Sequence, residues 1–214
     1  MKRIKEEFLD RVEEVVSLKG KRVLEIGCGN GARSSQISKR CASVVAIEPN
    51  RELIDEAKKV NPAENIEYQI GSAEKLDFED KSFDVAIFTL SLHHVPASMM
   101  SAAIDEAVRV TKEGGHIIFL EPATEGTFFE AELSFDACDG DEREEKQAAY
   151  DAIKRHGWVN KGLEIFDETV FKFESVDDFI STMKPKKNME MIADFLENND
   201  YILRASRRIN IFKV

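Results

Sequence analysis

Two acids and three glycines carry the chemistry this chain could do. In Val23-Leu24-Glu25-Ile26-Gly27-Cys28-Gly29-Asn30-Gly31, a short apolar run holds one acid and stops at glycines on alternate residues. Glycine admits backbone angles closed to other residues and lets a ligand lie against bare main chain. Ala32 to Ser38 then reads as the start of a helix whose free N–H groups face the turn. Strand, glycine turn and helix together make a nucleotide-type binding corner. A pyrophosphate corner spaces its glycines G-x-G-x-x-G, and here the third comes one residue early. Glu25 repels a dianionic pyrophosphate and suits a cationic ligand. A second acid, Glu48, closes the apolar run Ser43-Val44-Val45-Ala46-Ile47. It lies near the separation of roughly 20 residues at which a doubly wound fold places its ribose-binding carboxylate.

The elements needed to hold these groups follow in order. Residues 1–19 have apolar side chains at Ile4, Phe8, Val12, Val15 and Val16, the spacing of an amphipathic helix ending near Gly20. Residues 51–59 read as a helix stopped before Asn61-Pro62. Ile66 to Ile70 alternates as a third strand and runs into the turn Gly71-Ser72-Ala73-Glu74. Phe83 to Leu90 is nearly all apolar, as in a parallel strand covered on both faces, and leads to Ser91-Leu92-His93-His94-Val95. A helix over 98–110 and a fifth strand over His116 to Pro122 complete an alternating pattern, with Gly114-Gly115 between them. Leu163 to Phe173 and Ile202 to Phe212 read as two last strands, with a helix around Met189 to Leu196 between them and a capped helix starting at Ser175. The expected fold is α/β: a Rossmann-like, doubly wound, seven-stranded sheet, mostly parallel with an antiparallel C-terminal strand.

The segment E-I-G-C-G-N-G resembles motif I of class I S-adenosylmethionine (SAM)-dependent methyltransferases, especially the small-molecule, ubiquinone/menaquinone methyltransferase-like type 11 group. Glu48-Pro49-Asn50, G-S-A-E at 71–74 and R-V-T-K-E-G-G-H-I-I-F-L-E-P at 109–122 resemble later motifs of that family in the same order. The resemblance covers residues 20–122 and implies SAM as cofactor and S-adenosylhomocysteine (SAH) as product. It implies a cofactor site of Glu25, Gly27, Cys28, Gly29, Gly31, Glu48, Pro49, Ser72, Ala73, Glu74, Thr89 and Leu90. Glu25 would orient the amino-acid end, Glu48 the ribose and the Ser72–Glu74 turn the adenine. The loop after Leu90 would close over the methionine part and face the substrate. It lacks the N/D-P-P-Y/F of amino-methylating nucleic-acid enzymes. His94 is then the candidate catalytic base, an imidazole able to take a proton near neutral pH, although such a His pair also serves to hold the loop.

The remaining chain says less. Residues 124–151 are acidic, with Phe128, Phe129, Leu133 and Phe135 among the charges, and read as a cover over the site mouth that either lines a pocket or simply packs. The expected organisation is one domain over 1–214, with 1–19 and 123–201 covering the 20–122 core on the substrate side. A net charge of −11 argues against a nucleic-acid binder, despite the small basic group Lys184, Lys186 and Lys187. Three scattered cysteines fit neither a disulfide framework nor a zinc site, and no metal is expected. No apolar run has transmembrane length and residues 1–19 are no signal peptide, so the expectation is a cytoplasmic protein, monomer or homodimer, without membrane or nucleic-acid partners. The expected acceptor is a small apolar or amine-bearing molecule. A nicotinamide dehydrogenase would need the missing third-glycine spacing, and an aminopropyltransferase an acid where Ser-Leu-His-His stands. A methyltransferase-like partner subunit without its own activity is the non-enzymatic alternative.

Overall fold

A computed structural model describes residues 1–156 and 162–214. Its centre is a set of five parallel strands: β2 (Arg22–Ile26), β3 (Ser43–Glu48), β4 (Ile66–Ile70), β5 (Phe83–Thr89) and β6 (Thr111–Pro122). With β1 (Lys2–Lys5), β7 (Leu163–Lys172) and β8 (Ile202–Lys213) they form one sheet in the order β1-β7-β8-β6-β5-β2-β3-β4. β8 runs antiparallel to both β6 and β7, and β1 antiparallel to β7. The α/β, mostly parallel architecture is the expected one, with eight strands rather than seven.

Side-chain alternation divides the core into two layers. Leu24, Ile26, Ala86, Phe88, Ile117 and Phe119 pack on α4 (Met100–Val110) and α6 (Arg143–Arg155). Val23, Val85, Ile87, Ile118 and Leu120 face the other way, onto α1 (Phe8–Glu13), α2 (Ala32–Ser38) and α3 (Arg51–Val60). Burial on both faces is why β5 and β6 read as continuous apolar runs. Phe88 and Phe119 stack at 4.9 Å between centroids, a pair contributing about 0.5–1.5 kcal/mol beyond its buried area. A third cluster joins β7 and β8 to α5 (Thr127–Phe135), α7 (Val176–Met183) and α8 (Ile192–Asn198) through Phe135, Phe173, Phe179 and Leu203.

The N-terminus departs from expectation. The helix foreseen over 1–19 is confined to Phe8–Glu13, which buries Phe8, Leu9 and Val12. The eighth strand precedes it. Lys2–Lys5 pairs with Val170 to Lys172 and is exposed along its length. Its three cations, Lys2, Arg3 and Lys5, suit a sheet edge, where lysine discourages pairing with another chain. Residues 157–161 of the expected cover lie outside the described residues. Among the described residues no helix is long and apolar enough to cross a membrane.

Candidate active site

All five parallel strands end on one edge of the sheet, where open α/β sheets bind ligands. A cavity of about 610 Å³ runs along it. β2 delivers the glycine turn, whose Gly27 and Cys28 N–H groups each donate 2.9 Å bonds to the Ile47 carbonyl at the end of β3. Gly27 has φ +76°, and a Cβ there would stand 2.3 Å from that of Ser91. Ser91 is itself held by its hydroxyl donating to the Ile26 carbonyl at 2.6 Å. Gly29 is the opposite case: a Cβ there would meet nothing within 4 Å, so bare main chain faces the open cavity.

Glu48 reaches the same turn. Its Oε2 accepts a 3.1 Å bond from the Gly29 N–H and its Oε1 a 3.1 Å bond from the Asn50 N–H. The carboxylate is thus aimed before any ligand arrives, with acceptor capacity left on both oxygens. Pro49, Ser72, Ala73, Glu74, Thr89, Leu90 and His94 border the cavity with Gly27, Cys28 and Gly29. Two of the expected cofactor residues stand behind the wall instead. Gly31 precedes α2 with its Cα hydrogens toward Tyr68 and Ala57. Glu25 points into the α1–α3 layer, fully buried, and accepts bonds from the hydroxyls of Ser34 and of Thr89, the latter at 2.8 Å. Burial pushes its carboxyl up to about 7, against the pull of those two hydroxyls. Burial, with Glu25 and Glu48 nearby, also raises the Cys28 thiol, which rules it out as a thiolate nucleophile.

A second, smaller cavity of about 240 Å³ shares Arg3, Arg33, Leu90 and His94 with the first. The two histidines differ. His93 is buried and its Nδ1 is bonded to Glu121, whose other oxygen accepts from the Ser91 and Leu92 N–H groups at 3.2 and 2.9 Å. Burial lowers the His93 pKa, but the Glu121 bond and charge outweigh it and the net shift is upward. His93 therefore fastens the loop. His94 is half-exposed at the junction of the cavities, with Nδ1 3.6 Å from Glu142. His93, His94 and Glu142 bring ligand atoms within 4.8 Å of one another, yet the buried Lys146 ammonium already sits 3.6 Å from Glu142 and 3.2 Å from Glu132. Ser91, in the loop expected over the methionine part, lines the first cavity, as do Arg3 and Arg33, which were not foreseen. Arg33 comes two residues after Gly31, and that nearness to the glycine turn was the one available signal.

Residues 24–119 match the family model described as a methyltransferase domain. Over that stretch, a little under half of the chain, the sequence resembles a methyltransferase domain. The chain is 35% identical over 123 residues to phthiotriol/phenolphthiotriol dimycocerosates methyltransferase 1 of Mycobacterium ulcerans, covering 56% of this chain and 45% of that protein. It is 36% identical over 115 residues to a ubiquinone biosynthesis O-methyltransferase of Coxiella burnetii, covering 52% and 47%. The chain thus spans about half the length of the curated relatives it matches. In fold it is similar over its whole length to BH2331 of Bacillus halodurans (TM-score 0.68, 16% identity, 97% and 99% of the two chains). YcgJ of Bacillus subtilis is also similar (TM-score 0.61, 20% identity, 97% of each). The methyltransferase match ends at β6, so β7, β8, α5 and α6, which build the smaller cavity, lie outside it.

Proposed function

We propose that this protein transfers a methyl group from SAM to a small-molecule acceptor, and that residues 1–214 act as one unit in doing so. The observation that carries this reading is the cavity of about 610 Å³ in which the bare Gly29 backbone and the pre-aimed Glu48 carboxylate face the same space. Its volume is in the range of pockets that take cofactor-sized ligands. Bound there, SAM supplies a methyl group on a sulfonium, which leaves readily as a thioether. The chain's own task is alignment and exclusion of water. Glu48 takes the ribose hydroxyls, the 72–74 turn the adenine, and Gly27 to Gly29 leave room for the methionine part. Glu25 is a positioning residue that ties β2, α2 and the Thr89 wall together. The acceptor enters the smaller cavity, covered by residues from 123–201. Its hydroxyl or amine proton passes to a nitrogen of His94, which Glu142 orients. The names of the relatives, which concern a lipid and a ubiquinone precursor pathway, agree with a small-molecule acceptor.

Isothermal titration of the purified protein tests this directly, with SAM and SAH as ligands and NADH as control. The expected result is micromolar binding of both sulfur ligands and none of NADH. Absence of SAM and SAH binding would overturn the reading.

A further inference from the structure

We propose that the acceptor is an anion, whose carboxylate or equivalent oxyanion is bound by Arg3, Arg33 and Arg207 where the two cavities meet. This rests on the methyltransferase reading and adds to it the acceptor's charge. Arg3, on the edge strand, and Arg33, the second residue of α2, line both cavities, whereas Arg207 on β8 lines the acceptor cavity alone. Among the described residues two carboxylates form direct ion pairs with these three guanidiniums. Glu6 is shared by all of them, at 2.6 Å from Arg207 and 3.4 Å from both Arg3 and Arg33. Asp167 pairs with Arg207. The direct ion pairs thus join three cations to two anions, inside a protein whose net charge is −11. Arg207 is 2% exposed, yet its Nε finds no hydrogen-bond partner among the described residues. A buried guanidinium N–H without an acceptor is costly, and Arg207 borders the smaller cavity, from which a ligand oxyanion would supply one.

The rest of the cavity gives the anion its scaffold. Arg3 lies over the Phe171 ring, Phe171 contacts Phe128 at 5.0 Å, and the next residue, Phe129, lies under Lys146 at 5.1 Å. Rings thus join the arginine cluster to the Glu132–Lys146–Glu142 group beside His94. A flat apolar body with an anionic group at one end, and a hydroxyl or amine toward His94, matches that order of surfaces. The volume of about 240 Å³ suits an acid of one ring better than a lipid. The small apolar or amine-bearing acceptor expected from sequence would leave the arginines unanswered.

The test uses the full chain and simple probes. Benzoate and phenylacetate, with benzamide as the uncharged control, are titrated with and without saturating SAH into wild type, Arg3→Gln and Arg207→Lys. Arg3 is the most exposed of the three, so its variant keeps the fold if Arg207→Lys does not. Wild type should prefer the carboxylates to the amide by about tenfold or more, and Arg3→Gln should erase that preference without changing SAH affinity. In parallel, SAH and 5′-methylthioadenosine, which lacks the amino-acid end, are compared in each variant. If Arg3→Gln weakens SAH but not methylthioadenosine, the cluster holds the donor's carboxylate and the proposal fails. If no titration changes and wild type shows no preference, the cluster is a structural ion network and the proposal fails again. Loss of both nucleoside ligands in wild type would instead overturn the methyltransferase reading, while the carboxylate titrations made without SAH still decide the anion site.

Discussion

The larger cavity, where we place the donor, is organised around main chain at one end: a glycine turn, a strand end, and a carboxylate clamped by two backbone N–H groups. The smaller cavity, where we place the acceptor, is walled by ionised and aromatic side chains drawn from both ends of the chain, including Phe128, Lys146 and Arg207 besides the Arg3 and Arg33 it shares with the first. The two sites therefore respond differently to sequence change. A backbone site tolerates few residues at fixed positions, because only glycine satisfies the geometry. A side-chain site can change its ligand by exchanging charges while the sheet beneath it stays the same.

The largest effects should come from breaking each site in its own currency. Gly27→Val combines a branched side chain at φ +76° with a Cβ 2.3 Å from that of Ser91. Backbone strain and overpacking each cost about 1–3 kcal/mol, so the variant should lose most of its stability and bind no SAH. A soluble Gly27→Val that still binds SAH would mean the turn is not the rigid wall described. On the acceptor side, Asp167→Asn removes one of the two counter-charges of buried Arg207. The expected cost is roughly 3 kcal/mol, a fall of roughly 6–12 °C in Tm for a domain of this size. SAH affinity below that Tm should be unchanged. If it falls in step with stability, the two cavities are one energetic unit and the comparison breaks.

The same division explains what could be read from the sequence. Gly27, Gly29, Glu48 and Ser72 to Glu74 sit at the ends of successive parallel strands, so their spacing along the chain follows strand and helix lengths. Their order was legible, and eleven of the positions expected around the site do border a cavity, counting His94 with ten of the twelve cofactor positions. Glu25 was expected to orient the cofactor's amino-acid end, and its sequence position alone does not say which face of β2 it occupies. Alternation sends it to the Val23 side, away from the cavity. The arginine cluster was invisible for another reason. Arg3, Glu6, Arg33, Asp167 and Arg207 meet only through antiparallel pairing of β1 with β7 and β7 with β8. Lys2–Lys5 looked like helix because one apolar residue among cations fits either period, and the partner strand lies more than a hundred residues away.

Glu25 offers a way to sharpen the comparison through pH. Buried among hydroxyls, it holds its proton up to about pH 7, whereas an ordinary carboxyl loses it near 4.5. Between those values the folded state binds more protons than the unfolded, so this group's contribution to stability falls as pH rises from 4.5 to 7. The total is roughly 3 kcal/mol. Glu25→Gln cannot titrate. Its Tm relative to wild type should therefore rise between pH 5 and pH 8, with the other groups cancelling in the difference. A difference independent of pH would show that Glu25 stays ionised in the folded protein, which is the condition for acting on a ligand through charge rather than through Thr89 and Ser34.

The smallest effect expected is at Glu48, and it is the most local. Its carboxylate lies at the cavity edge, so Glu48→Ala should leave Tm nearly unchanged while removing charge-assisted bonds to the ribose. Those bonds contribute about 1.5–3 kcal/mol, or roughly a ten- to hundredfold weaker SAH. Free adenine, which has no ribose, supplies the control: its weak binding to the Ser72–Glu74 turn should be the same in wild type and variant. Glu48 also anchors the Gly29 and Asn50 N–H groups, so a second outcome is possible in principle. Equal weakening of SAH and adenine would mean that the residue holds the turn rather than the ligand. The donor cavity would then be a backbone site throughout, with no side chain of its own in direct contact with the ribose.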